Sequence, residues 1–346
     1  MNKILVAMSG GVDSSVCAYI LKEQGFDVSG ITLKLYNSKS KTSVSLQAIE
    51  DAKKVCNELK IKHYVLDLQK EFLQEIINNF INSYLSAKTP NPCILCNEKI
   101  KFGLMLEYAQ KLGFDKIATG HYAKIVKEKN VYQLKKPIDE TKDQTYFLYR
   151  LTQKELSKTL FPLGDYTKKQ IRDIAQKANL TVAKKPDSQE ICFIENSYRE
   201  FLQQNIKDFN KRVLPGYIVD KNGKKLGKHK GLIYYTIGQR SGLGITTPEP
   251  VYVLRLDIAT NTIVVGTKQD IYGKVAKIEN ISYTNLPIEK PFYADVKIRR
   301  MHKPAKALIK ENIIIFDDEQ ASITPGQSAV FYNKNYILGG GIITQL

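Results

Sequence analysis

Residues 4–15 of this 346-residue chain combine a strand, a glycine turn and a helix start, and this stretch constrains the fold more than any other. The apolar run Ile4 to Met8 ends at Ser9-Gly10-Gly11, and an amphipathic segment follows. Two successive glycines let backbone N–H groups approach a ligand closely, and the helix points its unpaired N–H groups at the same place. The stretch predicts a phosphate-binding turn. An ordinary strand–helix turn that happens to contain two glycines is the alternative.

Side chains of the same turn complete the predicted site. Ser9, Ser14 and Ser15 offer hydroxyl donors to phosphate oxygens, and Asp13 could hold Mg²⁺. The turn lacks the lysine of the Walker loop and the spacing of G-x-G-x-x-G. It resembles the pyrophosphate loop of the N-type ATP pyrophosphatases. This resemblance implies transfer of AMP to a substrate oxygen with release of pyrophosphate, and it argues against a kinase or a GTPase.

The composition is that of a globular protein, with 43% hydrophobic and 10% aromatic residues. No apolar run reaches the roughly 20 residues that span a bilayer, and the N-terminus enters a strand without a signal-peptide pattern. We therefore expect a cytoplasmic protein with no membrane partner. In that compartment five cysteines favour metal, redox or nucleophilic roles over structural disulfides.

The formal net charge of +17 favours a polyanionic partner. The excess is concentrated in residues 201–240, which contain nine Lys or Arg and two Asp. Lysines can follow a phosphate backbone and tyrosines can stack on bases, so we favour RNA over a merely solvated surface patch. The interleaved residues are Lys221, Lys224, Lys225, Lys228, Lys230 and Arg240 with Tyr217, Tyr234 and Tyr235.

Alternation of strands and helices over about the first 120 residues predicts an α/β fold with a parallel sheet covered on both faces. Thr167-Lys-Lys-Gln170 is a capping box that starts a further helix. From about residue 274, alternating runs separated by turns predict a small antiparallel β-barrel. We divide the chain into a nucleotide domain (1–198), a basic central domain (199–273) and a barrel (274–346).

The segment Thr89-Pro-Asn-Pro-Cys93-Ile-Leu-Cys96-Asn97 is the second strong signal. If Asn97 caps a helix that begins there, Cys96 lies just ahead of the helix N-terminus and should be acidified and nucleophilic. The alternative is that Cys93 and Cys96 are two of the four ligands of a structural zinc site. The chain has no second C-x-x-C, however, and its four histidines are scattered. Cys17 and Cys56 lie in helical patterns and are expected to be buried packing residues.

With these motifs the chain resembles the bacterial tRNA-specific 2-thiouridylases along essentially its whole length. The fold implied is a HUP-type (adenine nucleotide alpha hydrolase-like) catalytic domain, a small tRNA-binding domain and a barrel. The motifs that carry the resemblance are the glycine turn, Thr89-Pro-Asn-Pro-x-x-x-Cys96-Asn97, Lys99-x-Lys-Phe102, Thr119-Gly-His-Tyr122, Lys142-Asp-Gln-Thr-Tyr-Phe147, Ser188-Gln-Glu-Ile-Cys-Phe193, Gly231-x-x-x-Tyr-Thr-Ile-Gly-Gln-Arg240 and Pro-Gly-Gln327.

The resemblance implies ATP-dependent 2-thiolation of the wobble uridine (U34) of tRNA. The uracil O2 attacks ATP, and sulfur then displaces AMP at C2. Cys192 would receive sulfur as a persulfide from a donor protein, such as a cysteine desulfurase or a sulfur-relay protein. Cys96 would either attack the activated carbon or reduce the persulfide to hydrosulfide, and both routes leave a transient Cys96–Cys192 disulfide. The target base would be flipped out of its stack.

The same resemblance implies the binding residues. ATP would contact Ala7, Met8, Ser9, Gly10, Gly11, Val12, Asp13, Ser14, Ser15, Leu33 and Gly120, with Mg²⁺ at Asp13. The tRNA would contact Asn91, Pro92, Cys93, His121, Lys142, Asp143, Gln144, Arg299, Arg300 and Gln327. His121 has a structural role as its alternative.

One position departs from many relatives, which carry Asp where this chain has Cys93. A general acid/base role is therefore in doubt there. The three thiols Cys93, Cys96 and Cys192 could instead hold a [4Fe–4S] cluster whose free iron carries hydrosulfide. Two other classes remain open at this point: an amidating or ligating ATP pyrophosphatase, such as an argininosuccinate or GMP synthetase relative, and an RNA-binding protein without activity.

Overall fold

The computed structural model describes residues 2–36, 44–186, 191–285, 288–289 and 291–345. The described residues form three sheets: a five-stranded parallel sheet, a four-stranded sheet, and an eight-stranded antiparallel sheet. Six C-terminal strands of the third sheet close into a barrel, and a hairpin of the first domain (residues 124–135) extends it. The expected α/β domain and C-terminal barrel are thus confirmed.

The parallel sheet has the strand order β3-β2-β1-β4-β7. Successive residues of the central strand face opposite sides: Ile4 and Val6 enter one core and Leu5 enters the other, all fully buried. Burial on both faces explains why this strand is an unbroken apolar run. The strands of the first domain are β1 (Lys3–Ala7), β2 (Asp27–Lys34), β3 (Lys62–Asp67), β4 (Lys116–Ala118), β5 (Lys124–Glu128), β6 (Val131–Lys135) and β7 (Thr159–Leu160).

Helices cover both faces of this sheet. The Thr167 capping box forms as expected, with the Thr167 hydroxyl accepting from the Gln170 N–H. No helix among the described residues is long and apolar enough to cross a membrane. The helices are α1 (Val12–Glu23), α2 (Val44–Glu58), α3 (69–85, with a π segment at Leu73–Ile77), α4 (92–111, with a π segment at Cys96–Leu104), α5 (Gln153–Ser157) and α6 (Lys168–Lys177).

The strand order reverses at β1, which pairs with β2 on one side and β4 on the other. Helices that follow two such strands leave the sheet in opposite directions, and a crevice opens at their carboxyl ends. The glycine turn after β1 and Gly120 after β4 both lie at this crevice. The topology therefore gives the predicted phosphate turn the position where ligands bind in such sheets.

The central domain begins with two helices, and its sheet has the order β10-β11-β8-β9. Its core contains the fully buried Ile218, Val253 and Ile263. The elements are α7 (Tyr198–Asn205), α8 (Phe209–Arg212), β8 (Gly216–Val219), β9 (Lys225–His229), β10 (Tyr252–Asp257) and β11 (Thr262–Gly266).

Six antiparallel strands form the barrel, and the pairing of the first with the last closes it. Val330, Tyr332 and Ile337 of the barrel are buried in the same core as α4 of the first domain. The barrel is thus packed firmly against the catalytic domain. Its strands are β12 (Tyr272–Tyr283), β13 (Phe292–Lys297), β14 (Ala305–Lys310), β15 (Ile313–Ala321), β16 (Ser328–Asn333) and β17 (Tyr336–Thr344).

Candidate active site

The glycine turn presents backbone N–H groups at the start of α1. Gly10 has a φ of +70°, and a Cβ there would lie 2.7 Å from the Ala48 carbonyl oxygen, so the turn requires glycine. Gly11 is the N-cap and has no side chain to accept the first N–H groups of the helix. Unpaired N–H groups and the positive end of the helix dipole therefore face the crevice, as an anion site needs.

The three serines of the turn do not play equal parts. Ser15 is fully buried, and its hydroxyl donates to the Gly11 carbonyl at 2.8 Å. Ser14 is 4% exposed and donates to the same carbonyl, while its oxygen accepts from the Ser9 N–H. That Ser14 and Ser15 offer hydroxyls to phosphate stays a prediction; in this structure both hydroxyls donate to the Gly11 carbonyl and hold the turn together. Ser9 is exposed, and its hydroxyl is paired with that of Ser14 at 3.1 Å.

Asp13 is engaged by two side chains that the sequence did not indicate. Its Oδ1 accepts from the Lys168 ammonium at 2.7 Å and from the Tyr122 hydroxyl at 2.8 Å. A magnesium ion that arrives with ATP would share this carboxylate with a cation. Lys168 stands at the first position of α6, inside the capping box that we interpreted only as a helix start.

Lys185 is a second lysine at the turn. Its ammonium donates to the Gly10 carbonyl at 2.9 Å and to Asp51 of α2 at 2.7 Å. This ion pair lowers the pKa of Asp51 below its usual range. Two cations, Lys168 and Lys185, thus flank the turn although the turn itself contains no lysine.

Gly120 packs directly on the start of α1. A Cβ at this position would lie 2.8 Å from the Asp13 carbonyl carbon and 2.9 Å from the Ser14 nitrogen. The next residue, His121, pairs its Nδ1 with the Thr119 hydroxyl at 2.7 Å. Burial lowers the pKa of His121 well below its usual value, and the nearby charge of Lys101 adds to this, so the ring is neutral. The other predicted adenine-side residue, Leu33, is half-buried near the end of β2.

The cysteine loop enters a helix earlier than predicted. Helix α4 begins at Pro92 with Asn91 as its N-cap, so Cys93 and Cys96 lie within the helix. Asn97 caps nothing: its amide donates to the Phe147 carbonyl at 3.0 Å. Our expectation that Asn97 caps the helix and places Cys96 ahead of its N-terminus is therefore wrong.

The predicted acidity of Cys96 is also wrong. Cys96 is 7% exposed, and burial raises its pKa to about 12. Burial likewise raises the pKa of Cys93, and the surrounding protein raises that of Cys192 to about 11 although Cys192 itself is exposed. At neutral pH all three thiols are protonated. Burial outweighs the helix dipole here because Cys96 is inside the second turn, where the dipole effect has faded.

The three thiols nevertheless occupy one site. Cys96 interacts electrostatically with both Cys93 and Cys192, and Cys192 interacts with Cys93. Lys101 is the only cation of the described residues whose charge lowers the pKa of all three. The structure therefore brings together thiols that are 96 residues apart in the chain. Cys17 and Cys56 are fully buried elsewhere, as predicted.

Cys192 is anchored by its neighbour. Phe193 is 3% exposed and makes edge contacts with Phe72 and Phe80 and a tilted contact with Phe201, in the core that also contains Cys96. Burial of one residue thus fixes the position of the next, exposed thiol. Ser188, Gln189 and Glu190 of the predicted motif lie outside the described residues.

The thiols do not fit a metal site in this conformation. Across the part of the chain that the structure describes, no group of three or more His, Cys, Asp or Glu side chains is arranged to hold a metal ion. The donor set for a [4Fe–4S] cluster on Cys93, Cys96 and Cys192 is therefore not assembled, and we derive no step through such a cluster.

The residues predicted to contact tRNA lie along the junction of the first domain and the barrel, but several are engaged within the protein. The Gln144 side chain accepts from the Tyr122 N–H at 2.8 Å, and that of Asp143 accepts from the Thr145 N–H at 2.9 Å. Lys142 is half-buried beside them. Arg299 donates to two carbonyls of its own barrel, whereas Arg300 is exposed above the Phe147 ring.

Thr89 connects all three domains. Its N–H donates to the Pro325 carbonyl at 2.9 Å, and its carbonyl accepts from the Gln327 amide at 2.8 Å. Its hydroxyl donates to Thr236 of the central domain at 3.4 Å. Gln327, predicted to contact tRNA, is thus used to fix the loop that precedes Cys93.

The basic stretch of the central domain is exposed, but its tyrosines are not equivalent. Lys224, Lys225, Lys228, Lys230 and Arg240 are exposed, and the Lys225 ammonium lies 3.9 Å from the centre of the Tyr217 ring. Tyr235 is 7% exposed and belongs to the domain core, so it is not available to stack on a base. Tyr217 is the exposed aromatic of the three.

Comparison with known proteins covers the whole chain. Three family models match: the tRNA methyl transferase HUP domain at residues 2–196, the tRNA methyl transferase PRC-barrel domain at 199–267, and the aminomethyltransferase beta-barrel domain at 274–343. The chain is 47% identical over 358 aligned positions to the tRNA-specific 2-thiouridylase MnmA 2 of Thermoanaerobacter sp. (strain X514), covering 99% of this chain and 98% of the relative. It is 45% identical over 356 positions to the tRNA-specific 2-thiouridylase MnmA of Clostridioides difficile (strain 630), with 99% and 98% covered.

Proposed function

The chain belongs to the tRNA-specific 2-thiouridylase family, and from this premise we propose the roles of its residues in ATP-dependent 2-thiolation of the wobble uridine of tRNA. The protein is an ATP-dependent tRNA sulfurtransferase. The reaction follows the full-length relatives, which match 99% of the chain, and not the methyl transferase name of the domain models. The observation that carries our assignment is the convergence of three thiols around Lys101, whose charge also acts on His121, the residue after the glycine that packs on the start of α1.

The first step is adenylation at the glycine turn. The N–H groups of Gly10 and Gly11 and the Ser9 hydroxyl bind the leaving pyrophosphate, with Mg²⁺ of the incoming MgATP at Asp13. Lys168 and Lys185 add positive charge on either side of the turn. The uracil O2 attacks the α-phosphorus, and the O–P bond to pyrophosphate breaks. Gly120 lets the end of β4 approach the start of α1 because it has no Cβ, and this approach places its backbone beside the nucleotide turn.

The second step is sulfur transfer at the thiols. Cys192, exposed and anchored by Phe193, receives sulfur as a persulfide from a donor protein such as a cysteine desulfurase. Either the outer sulfur of the persulfide bonds to C2, AMP departs as the C2–O bond breaks, and Cys96 then attacks the Cys192 sulfur to free the thiolated base, or Cys96 attacks the Cys192 sulfur first and releases hydrosulfide, which displaces AMP at C2. Both routes leave a Cys96–Cys192 disulfide for reduction. The assignment fits the accessibility of the two thiols, since a donor protein can reach only the exposed one.

The tRNA lies across all three domains. Exposed lysines of the central domain neutralise phosphates, while Arg300 and Lys142 contact the nucleotides next to the flipped uridine. Asn91, Pro92 and Cys93 form the wall against that base. Because tRNA is a cytoplasmic molecule, we place the protein in the cytoplasm.

Two variants of the thiols test this assignment, Cys96→Ala against Cys56→Ala. Both thiols are buried, but only Cys96 belongs to the thiol site. With MgATP, unmodified tRNA, cysteine and a cysteine desulfurase, Cys96→Ala should release pyrophosphate yet form no 2-thiouridine by mass spectrometry. Cys56→Ala should form it. Unimpaired thiolation by Cys96→Ala would reject the role that we assign to Cys96. A wild type that releases pyrophosphate but forms no 2-thiouridine would favour a ligase of the same superfamily.

Asp13→Ala provides a second test, of the adenylation step. Adenylation should be lost, while the affinity for tRNA should change little because Asp13 faces the nucleotide turn and not the basic surfaces. An equal loss of adenylation and of tRNA affinity would instead assign Asp13 to tRNA binding. A wild-type protein that binds tRNA but never releases pyrophosphate would be an RNA-binding protein only.

A further inference from the structure

Lys101 is placed by an unusual turn of α4. The segment Cys96–Leu104 is a π-helix, in which each N–H bonds to the carbonyl five residues earlier. Lys101 is five residues after Cys96, so one wide turn aligns the two side chains on the same face. In an α-helix the fifth residue would lie about 140° away around the axis. The π segment therefore places Lys101 on the side of α4 that carries Cys96, and the charge of Lys101 acts on that thiol.

The Lys101 ammonium has no anionic partner among the residues that the structure describes. The one carboxylate near it in sequence, Glu98, is bound by Arg150 at 2.7 Å and approached by Lys99 at 3.4 Å. The lysines at the glycine turn differ in this respect, since Lys168 is paired with Asp13 and Lys185 with Asp51. A half-buried lysine without a counter-ion is ready to receive a charge from a ligand.

Lys101 also lies between the two halves of the site. Its charge acts on all three thiols and on His121. The ring of the adjacent Phe102 is 5.8 Å from the His121 ring, and His121 follows the glycine that packs on the start of α1. The ammonium is thus located where a base joined to AMP would meet sulfur.

We propose that Lys101 is a catalytic residue of the sulfur-transfer step, stabilising the negative charge that passes from sulfur to the departing AMP. This inference rests on the proposed function. The sulfur of a persulfide or of hydrosulfide forms a bond to C2, and the C2–O bond then breaks with its electron pair moving to the phosphate oxygen of AMP. Lys101 keeps its proton throughout. A preorganised cation in a buried site is effective because it needs no reorganisation when the charge appears.

The alternative is a lysine that binds a tRNA phosphate. The two roles affect different steps, since a phosphate contact would weaken tRNA binding and adenylation together. A charge stabiliser for AMP departure acts only after adenylation is complete.

The test compares Lys101→Met with Lys101→Arg and with Lys99→Met as the matched control. Lys99 is on the same helical segment, but it is exposed and lies beside Glu98. Each protein is incubated with MgATP, unmodified tRNA, cysteine and a cysteine desulfurase, and pyrophosphate, adenylated tRNA and 2-thiouridine are measured over time. Lys101→Met should release pyrophosphate at nearly the wild-type rate, form 2-thiouridine about 10²-fold more slowly, and accumulate adenylated tRNA.

Lys101→Arg should recover part of the thiolation rate, and Lys99→Met should resemble the wild type. Wild-type thiolation by Lys101→Met would overturn the proposal, and so would a parallel loss of adenylation and thiolation. Thermal unfolding reports whether each variant is folded. If Lys101→Met is not folded, Lys101→Gln takes its place, with the same expected rates of pyrophosphate release and thiolation. Absence of both products from the wild type would instead reject the proposed function.

Discussion

We predict that Gly120→Ala slows adenylation by distorting the start of α1. Gly120 does not have a positive φ, so alanine meets no conformational penalty there and only the added methyl matters. That methyl would lie 2.8 Å from the Asp13 carbonyl carbon, and ordinary contact begins at 3.4 Å. About 0.6 Å of movement is required, and the obstacle is backbone at the turn that binds pyrophosphate.

The size of the effect follows from this overlap. Insertion of a methyl into a packed site costs about 1–3 kcal/mol of folding free energy. A misplacement of about 1 Å in a catalytic site can lower the rate about 10²-fold. The required movement of about 0.6 Å should therefore slow adenylation by roughly 10-fold or more. Pyrophosphate release with MgATP and unmodified tRNA measures the rate, and thermal unfolding measures the stability.

Gly273→Ala is the matched control. Gly273 lies in a strand of the barrel without positive φ, and a Cβ there would meet only the end of the Ile323 side chain at 3.8 Å. Its adenylation rate should equal that of the wild type. If Gly120→Ala also adenylated at the wild-type rate with the wild-type KM for ATP, the close approach of β4 to the glycine turn would have no functional meaning.

Three further perturbations probe the rest of the site. Gly326→Ala places a Cβ 2.8 Å from the Thr89 nitrogen, at a residue with a φ of +91°. It should impair thiolation more than pyrophosphate release when both are measured in one time course, and equal impairment of the two would contradict this. Replacement of Lys224 and Lys225 by Gln should weaken tRNA binding and reduce the salt slope by about 1–2, and an unchanged slope would remove the central-domain contact. Because burial raises the pKa of Cys96 to about 12 from 9.0, its alkylation by iodoacetamide should be slow at neutral pH and rise continuously above pH 9; a midpoint below pH 8 would refute the protonated resting state.

Local patterns predicted most of the fold. The alternating strands and helices of the first domain and the Thr167 capping box follow from period and caps alone. Two barrel strands have no pattern that would predict them. In Ile313–Ala321 three isoleucines precede a run of acidic residues, so no alternation is visible. The strand Tyr272–Tyr283 has only two buried residues, Ala276 and Ile278, and it pairs with strands far away in the chain.

The candidate site was predicted less completely, and the errors share one cause. Residue type and spacing singled out Cys96 but gave the shift of its pKa the wrong sign, since burial depends on which elements pack around it. The sequence context of Ser15 likewise does not show that its hydroxyl turns back to Gly11. Lys101 belonged to a quoted motif and received no role, because a π turn is not visible in sequence.

The raised pKa values of the thiols have a consequence for the order of events. A reactive thiolate that stood permanently beside an exposed partner would be open to oxidation in the absence of tRNA. Protonated thiols avoid this, because Cys96 gains nucleophilicity only when its proton is removed. The same burial that makes Cys96 a poor nucleophile at rest also strengthens any charge interaction with Lys101 once an anion is present. Burial therefore keeps the thiols protonated and inactive at rest, and the Lys101 charge acts when the adenylated base and sulfur meet.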